Sequence, residues 1–224
     1  MYRRRSIDGI ERNDTFKGGQ MNIVLSGANG FMGKIITREL EKEGHEVTSV
    51  MNDDVAVCLW GDTLIHCARH HANIVEPITH EKWIKEYETD VIYPYEYTMK
   101  VAKHNLDLKN VIVITSIYGV RPPTVRYIPP NYCMAKAAEK QMVKELATRL
   151  APNIRVNGII YGGVLSDREL ADQNDDFREK YNAKTLLGHM VKQDEISGAV
   201  KFLVSDDSKG MTGSFITVDG GYTV

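Results

Sequence analysis

A glycine run near the start narrows most sharply what this chain can fold into. Ser26-Gly27-Ala28-Asn29-Gly30-Phe31-Met32-Gly33 follows a short apolar stretch, 22–25. It opens a segment, 31–43, whose Ile35, Ile36 and Leu40 share one helical face before Gly44 ends it. A strand–glycine–helix arrangement suits a phosphate seated at a helix N-terminus. Gly27 permits the tight turn, Gly30 lets backbone approach a pyrophosphate, and Gly33 lets helix and strand pack closely. The loop therefore predicts a dinucleotide-binding βα unit, with a merely structural turn as the competing reading.

The rest of the chain continues the alternation. Strands are expected at 47–50, 63–68, 111–115, 154–160 and 215–218, and helices at 80–88, 94–105, 132–150 and 195–205. Strands separated by helices imply parallel pairing, hence an α/β chain with a single Rossmann-like, doubly wound parallel sheet. The length of 224 residues suits one such domain, 21–224. Residues 1–20 are polar, carry Arg3-Arg4-Arg5 and lack apolar periodicity. They read as a disordered leader or a remnant foreign to the fold, with a basic anchor as the weaker alternative. Residues 165–185 are charged and follow a strand's C-terminal end, which makes them a candidate substrate lid. A solvated helical surface explains the same charges.

Composition excludes several classes. A net charge of −2, with no basic stripe outside the leader, gives no pull toward nucleic acid or an anionic membrane. No apolar run approaches a membrane span and no signal-peptide core is present, so a cytoplasmic protein is expected. Cys58, Cys67 and Cys133 cannot all pair and read as free thiols. His66, Cys67, His70 and His71 invite a metal reading. However, neighbours on a strand end point to opposite faces and no second ligand pair has convincing spacing, so no metal site is expected.

Tyr132 and Lys136 form the only YxxxK in the chain, on the longest expected helix, where this spacing shares one face. A nearby ammonium stabilises phenolate and makes a tyrosine a usable acid/base. Ser116 ends the most apolar strand, where a parallel sheet delivers functional groups. It is placed to orient a substrate carbonyl, or else simply to cap the strand. Asn52, Asp53 and Asp54 follow the second strand with no arginine nearby. Carboxylates there accept from ribose hydroxyls and repel a 2′-phosphate, which favours NAD over NADP; turn residues are the alternative.

These motifs, in order, resemble the short-chain dehydrogenase/reductase family from Met21 to Val224. GANGFMG (27–33) is similar to its glycine loop, in the spacing of the extended, sugar-nucleotide branch. GDTLIHCA (61–68) is similar to its GxxDxLVNNA stretch, and Trp83 with Asp90 to its W…N element. ITSIYG (114–119) carries the serine, Tyr132 and Lys136 the pair, IRVNGIIYGGV (154–164) resembles IRVNxxxPGxV, and MTGSFITVDGG (211–221) the C-terminal signature. The resemblance implies Tyr132 as acid/base, Lys136 lowering its pKa and binding ribose, Ser116 orienting the substrate oxygen, and Asp90 in the proton relay. It implies cofactor contacts from Gly27, Asn29, Gly30, Phe31, Met32, Gly33, Asn52, Asp53, Cys67, Ala68, Tyr132, Lys136, Gly162 and Val164, with Ser166 near the carboxamide. NAD or NADP is the implied cofactor, and hydride transfer between a nicotinamide and a small, polar, sugar-like alcohol or carbonyl the implied reaction. A homodimer or homotetramer, paired through the tyrosine helix and the last strand, is also implied.

Four positions depart from the family pattern. The connection from the second strand to Thr63 is shortened, with 53–59 at most a remnant strand. Arg69 replaces a glycine facing the cofactor, Asp90 replaces the relay asparagine, and Tyr161 replaces the proline of a turn. These keep a second expectation open: an inactive relative that binds a nucleotide or sugar, or serves structurally. Asn157 is expected to buttress the loop after its strand, and Trp83 to be core.

Overall fold

The computed structural model describes residues 19–50, 61–69, 77–123, 128–165 and 175–224. The expected leader, Asn52, Asp53, Asp54, the remnant strand at 53–59, His70, His71 and Ser166 lie outside the described residues, the leader except for its last two.

Six strands form one parallel sheet: β1 (Asn22–Ser26), β2 (Glu46–Val50), β3 (Thr63–His66), β4 (Asn110–Ser116), β5 (Arg155–Tyr161) and β6 (Phe215–Val218). Their spatial order is β2-β1-β3-β4-β5-β6. The sense in which successive strands are added to the sheet reverses between β1 and β3, which is the switch point of a doubly wound fold. Among the described residues no strand lies outside β2, in keeping with the shortened connection.

Period-two alternation feeds two cores. Ile23 and Leu25 of β1, with Ile112 and Ile114 of β4, pack against Ile35, Ile36 and Leu40 of α1 (Phe31–Lys42) and against Ile196, Val200 and Leu203 of α6 (Gln193–Val204). Val24 and the β4 residues Val111 and Val113 face the opposite side. There they meet Tyr97 and Val101 of α3 (Tyr93–His104) and Met142, Val143 and Leu146 of α4 (Pro130–Leu150). Buried on both faces, β4 has no exposed residue along its length, as a central parallel strand requires.

The helical region before β4 differs from the two separate helices expected. α2 (His80–Tyr87), a π-helical turn (Glu88–Ile92) and α3 run on without a break. The cause is Pro94. An α-helix would bond the residue-94 amide to the Asp90 carbonyl, and proline has no N–H to give. The ladder slips to the wider repeat, with the Tyr93 amide donating to the Glu88 carbonyl.

Two expectations are corrected. Tyr161 is the last residue of β5 rather than part of a turn, and its buried hydroxyl donates to the Ile196 carbonyl, anchoring α6. Asn157 ties down the segment before β6, not the loop after its own strand. Its Nδ2 donates to the Met211 carbonyl at 2.9 Å and its Oδ1 accepts from the Ser214 amide at 3.2 Å. Of the expected lid, α5 (Asp175–Asn182) is docked: Tyr181 is buried, stacks on Tyr222 at 4.7 Å and accepts from the Gly163 amide through its hydroxyl.

Among the described glycines, Gly33 leaves the least room for a side chain. A Cβ on Gly33 would lie 2.1 Å from the Gly27 carbonyl oxygen and 2.7 Å from the Ala28 Cα, both backbone atoms. Gly33→Ala is expected to cost about 2–3 kcal/mol of unfolding free energy. Urea denaturation with an unchanged slope checks this.

Candidate active site

The first wall of the site is the cradle between β1 and α1. Gly27 has a φ of +77°, and a Cβ there would meet the Ala68 amide nitrogen at 2.6 Å. Glycine therefore sets both the turn and the contact between the β1 and β3 ends. Gly30 caps α1 without a side-chain hydrogen bond, and the first turn carries no acid. Asn29 and Gly30 are exposed, while Phe31 and Met32 are half-buried against the core. An open helix N-terminus beneath a backbone-walled cradle fits the pyrophosphate of a dinucleotide.

At the end of β3, successive side chains part as expected. His66 is buried on the α3 side, with Nε2 2.8 Å from the Thr98 hydroxyl. Burial holds its ring down at about 3, so it is neutral. Burial also pushes the Cys67 thiol up to about 12, which keeps it a thiol, with Lys136 opposing and Glu139 adding to that shift. Among the described residues no group of His, Cys, Asp and Glu is arranged to hold a metal ion.

The second wall joins the end of β4 to α4. Ser116 is nearly buried, and its Oγ accepts from the Tyr118 amide at 3.2 Å, starting a short 3-10 turn (Ile117–Gly119). That turn lies directly on α4. A Cβ on Gly119 would sit 2.4 Å from the Lys136 carbonyl oxygen and 2.8 Å from the Ala137 nitrogen. Thr115 reinforces the contact, its hydroxyl donating to the Lys136 carbonyl at 3.2 Å. The structure thus brings the Ser116 turn against the backbone of the Tyr132–Lys136 helix turn.

Tyr132 is half-buried, with two cations close to its ring. Arg69 Cζ lies 4.9 Å from its ring centroid and Lys136 Nζ 5.6 Å. Lys136 itself is only 4% exposed. Its Nζ is 2.8 Å from Asp90 Oδ2 and 2.7 Å from Glu139 Oε1, which together raise its affinity for a proton against the cost of burial. Asp90, at the centre of the π-helical turn, is fully buried. Glu86, one turn earlier on α2, is buried as well and accepts from Asn131 Nδ2 at 3.3 Å. Desolvation first, and the Asp90 charge second, push its carboxyl up to about 7.

The third wall follows β5. Gly162 and Gly163 lead to Val164, whose strand-like bridge to Val191 is extended by Leu165 donating to the Val191 carbonyl. A Cβ on Gly162 would meet the Asp219 Cα at 2.9 Å, so the β5 and β6 ends close on each other. Trp83 is half-buried on α2, 6.4 Å from the Tyr87 ring.

Sequence reasoning missed Glu86 and Glu139. Their signal was position: Glu139 lies one turn beyond Lys136 and Glu86 one turn before Asp90, both on faces that turn inward.

Known proteins share this fold. The profile of the family described as enoyl-(acyl carrier protein) reductase matches residues 46–223. Glucose 1-dehydrogenase 2 of Bacillus subtilis is 26% identical over 228 residues, covering 94% of this chain and 88% of its own. Tropinone reductase-like 3 of Erythroxylum coca is 30% identical over 138 residues, which is 61% of this chain and only 52% of that protein. Among solved structures, a short chain dehydrogenase from Leptospira borgpetersenii with bound NAD+ superposes with a TM-score of 0.80 at 25% identity, covering 100% of both chains. The chain belongs to the short-chain dehydrogenase/reductase family. Among the described residues no helix is long and apolar enough to cross a membrane.

The buried Glu86 sets a stability slope. The folded protein keeps its proton up to about 7, the unfolded chain only to 4.5. Between those values folding takes up a proton, so this contribution is whole below 4.5 and is lost as pH rises through about 7. Glu86→Gln removes the slope. Relative to the variant, wild type is expected to lose about 3 kcal/mol across that window, read from denaturation midpoints at each pH.

Proposed function

We propose that this chain is an NAD(P)-dependent oxidoreductase that interconverts a secondary alcohol and a carbonyl on a small, polar, sugar-like substrate. The carrying observation is a single convergence: Tyr132 above the buried Lys136 ammonium, with the Ser116 turn pressed on the same helix turn. The glycine cradle opens at the end of the same sheet, two strands away. The relatives named as dehydrogenases and reductases support the reaction class.

The nicotinamide, when bound, supplies hydride chemistry at its ring carbon. Gly27, Asn29, Gly30, Phe31, Met32 and Gly33 would hold its pyrophosphate side, with Asn52 and Asp53 at the ribose. Cys67, Ala68, Gly162 and Val164 would line its path toward Tyr132 and Lys136. The acidic 52–54 stretch favours NAD. Ser116 Oγ donates to the substrate oxygen and holds it toward Tyr132. The Tyr132 hydroxyl gives its proton to that oxygen in reduction and recovers one in oxidation. The Lys136 ammonium favours negative charge on the Tyr132 oxygen, and Asp90 holds Nζ beneath the ring. Substrate enters from the face bounded by α5 and the Leu186–Leu187 turn, where both leucines are exposed.

A second reading is a relative that binds a nucleotide or sugar without turning it over. It is favoured by the two carboxylates that occupy Lys136 and by Arg69 lying over Tyr132. We further read residues 21–224 as one catalytic domain that works in the cytoplasm, in keeping with free thiols at Cys67 and Cys133. It pairs as a dimer or tetramer through α4, where Met134 is 52% exposed, and the open edge of β6. Light scattering on the purified protein checks the pairing, and a strict monomer overturns it.

Titration with NAD and NADP, followed by melting temperature, comes first; no shift with either sinks the dehydrogenase reading. Given binding, Tyr132→Phe is expected to keep the shift and to lose at least about 10²-fold in kcat on sugar and cyclic alcohols. Undiminished turnover in the variant removes Tyr132 from the mechanism.

A further inference from the structure

The acids beneath the site outnumber the positive charge buried with them. Glu86, Asp90 and Glu139 are 0%, 0% and 2% exposed, and Lys136 is 4% exposed. With all three ionised, three negative charges would face one buried ammonium. Glu139 faces Lys136 on its own helix, Asp90 from the π-helical turn, Thr115 from β4 and the Cys67 thiol from the end of β3. Glu86 faces Asp90, Lys136, the exposed Arg69, Asn131 and Cys133.

The hydrogen-bonding tally points the same way. Each acid has one oxygen engaged, Glu139 Oε1 and Asp90 Oδ2 by Lys136 and Glu86 Oε2 by Asn131, while Glu86 Oε1 and Asp90 Oδ1 have no partner among the described residues and the second Glu139 oxygen has at most the Thr115 hydroxyl. Buried carboxylates that share too few donors and too little positive charge take up a proton rather than all stay ionised. Glu139 is the acid that both touches Nζ, at 2.7 Å, and sits on the helix that carries Tyr132.

We propose that the acids around Lys136 share a proton at neutral pH, that Glu139 is its main seat, and that Glu139 is thereby a positioning residue for Tyr132. With Glu139 neutral, Lys136 is balanced by Asp90 alone, and its ammonium and the exposed Arg69 act together on the Tyr132 ring. With Glu139 ionised, the Lys136 charge is over-matched and a carboxylate is added below the tyrosine. Burial, which pushes both Glu139 and Glu86 upward, supports this distribution. The inference deepens the proposed mechanism and rests on it only for the role of Tyr132; the proton itself is a property of the resting protein.

Infrared difference spectra of the protein without ligand, taken across neutral pH, read the proton directly as the carbonyl stretch of a protonated carboxyl. Wild type is expected to show the band, Glu139→Gln to lose its larger part, and Glu86→Gln its smaller part. A band that survives Glu139→Gln unchanged, or no band at all, overturns the inference whatever the turnover. The second readout is ultraviolet titration of phenolate, taken as the difference between each protein and its Tyr132→Phe counterpart. Glu139→Gln removes the carboxylate that forms at alkaline pH, so its Tyr132 phenolate should appear about one pH unit lower than in wild type. An unmoved titration overturns the positioning role, since a merely structural residue would leave it in place. Should Glu139→Gln not fold, the larger part of the band is expected to remain in Glu86→Gln protein, where Asp90 still balances Lys136, and its absence there overturns the proposal. Failure of cofactor binding or turnover, by contrast, strikes only the proposed function.

Discussion

An ammonium only 4% exposed needs carboxylates to remain charged, and Lys136 has Asp90 at 2.8 Å and Glu139 at 2.7 Å. Much of the surrounding structure exists to hold those three groups in register. Pro94 forces the π-helical turn that carries Asp90. Gly119 lets the turn after β4 rest on the Lys136 backbone, and the Thr115 hydroxyl is bonded to the Lys136 carbonyl. Removing Lys136 would leave the acids uncompensated, and removing Asp90 would take away the carboxylate that balances the buried ammonium. The same ion cluster therefore fixes the position of α4 and supplies the electrostatics of Tyr132.

The fold was legible in the sequence because its signals are local. The apolar runs of β1 and β4, the spacing of Ile35, Ile36 and Leu40, and the glycines at 27, 30 and 33 each report their own conformation. Tyr132 and Lys136 were legible for the same reason, being four residues apart on one helix. Glu86 and Glu139 were not, because an acid on a helix reads as a solvated face until the neighbouring element is known. Their burial depends on α2 and α4 packing against each other, which no periodicity reports. Tyr161 misled for a related reason: matched against a proline, it suggested a turn, while its ring in fact completes β5 and bonds α6.

The π-helical turn shows how one residue converts sequence into site geometry. Asp90 lies on a stretch whose two ends were both expected to be helical, with a break between. A break would have left its carboxylate free to turn to solvent. The continuous helix, widened by the missing amide of Pro94, turns it toward α4 instead. The replacement of a relay asparagine by aspartate is then more than a change of charge, because the acid sits where it meets Lys136 and lies beside Glu86 and Glu139.

The departures from the family pattern, independent in the sequence, act on one another in space. Asp90 adds a negative charge that raises Glu86, while Arg69 adds a positive charge that lowers it. Arg69 also lies over the face of Tyr132, which Lys136 approaches as well. A chain that gained only Asp90 would have weakened the positive field at the tyrosine. One that gained only Arg69 would have set a second cation beside Tyr132 with no added acid beneath. Together the two changes leave the sum of charge near Tyr132 close to where a single lysine would put it, with more groups able to carry a proton. The divergence of this site is therefore best understood as a redistribution of charge around a tyrosine and a lysine that keep their places.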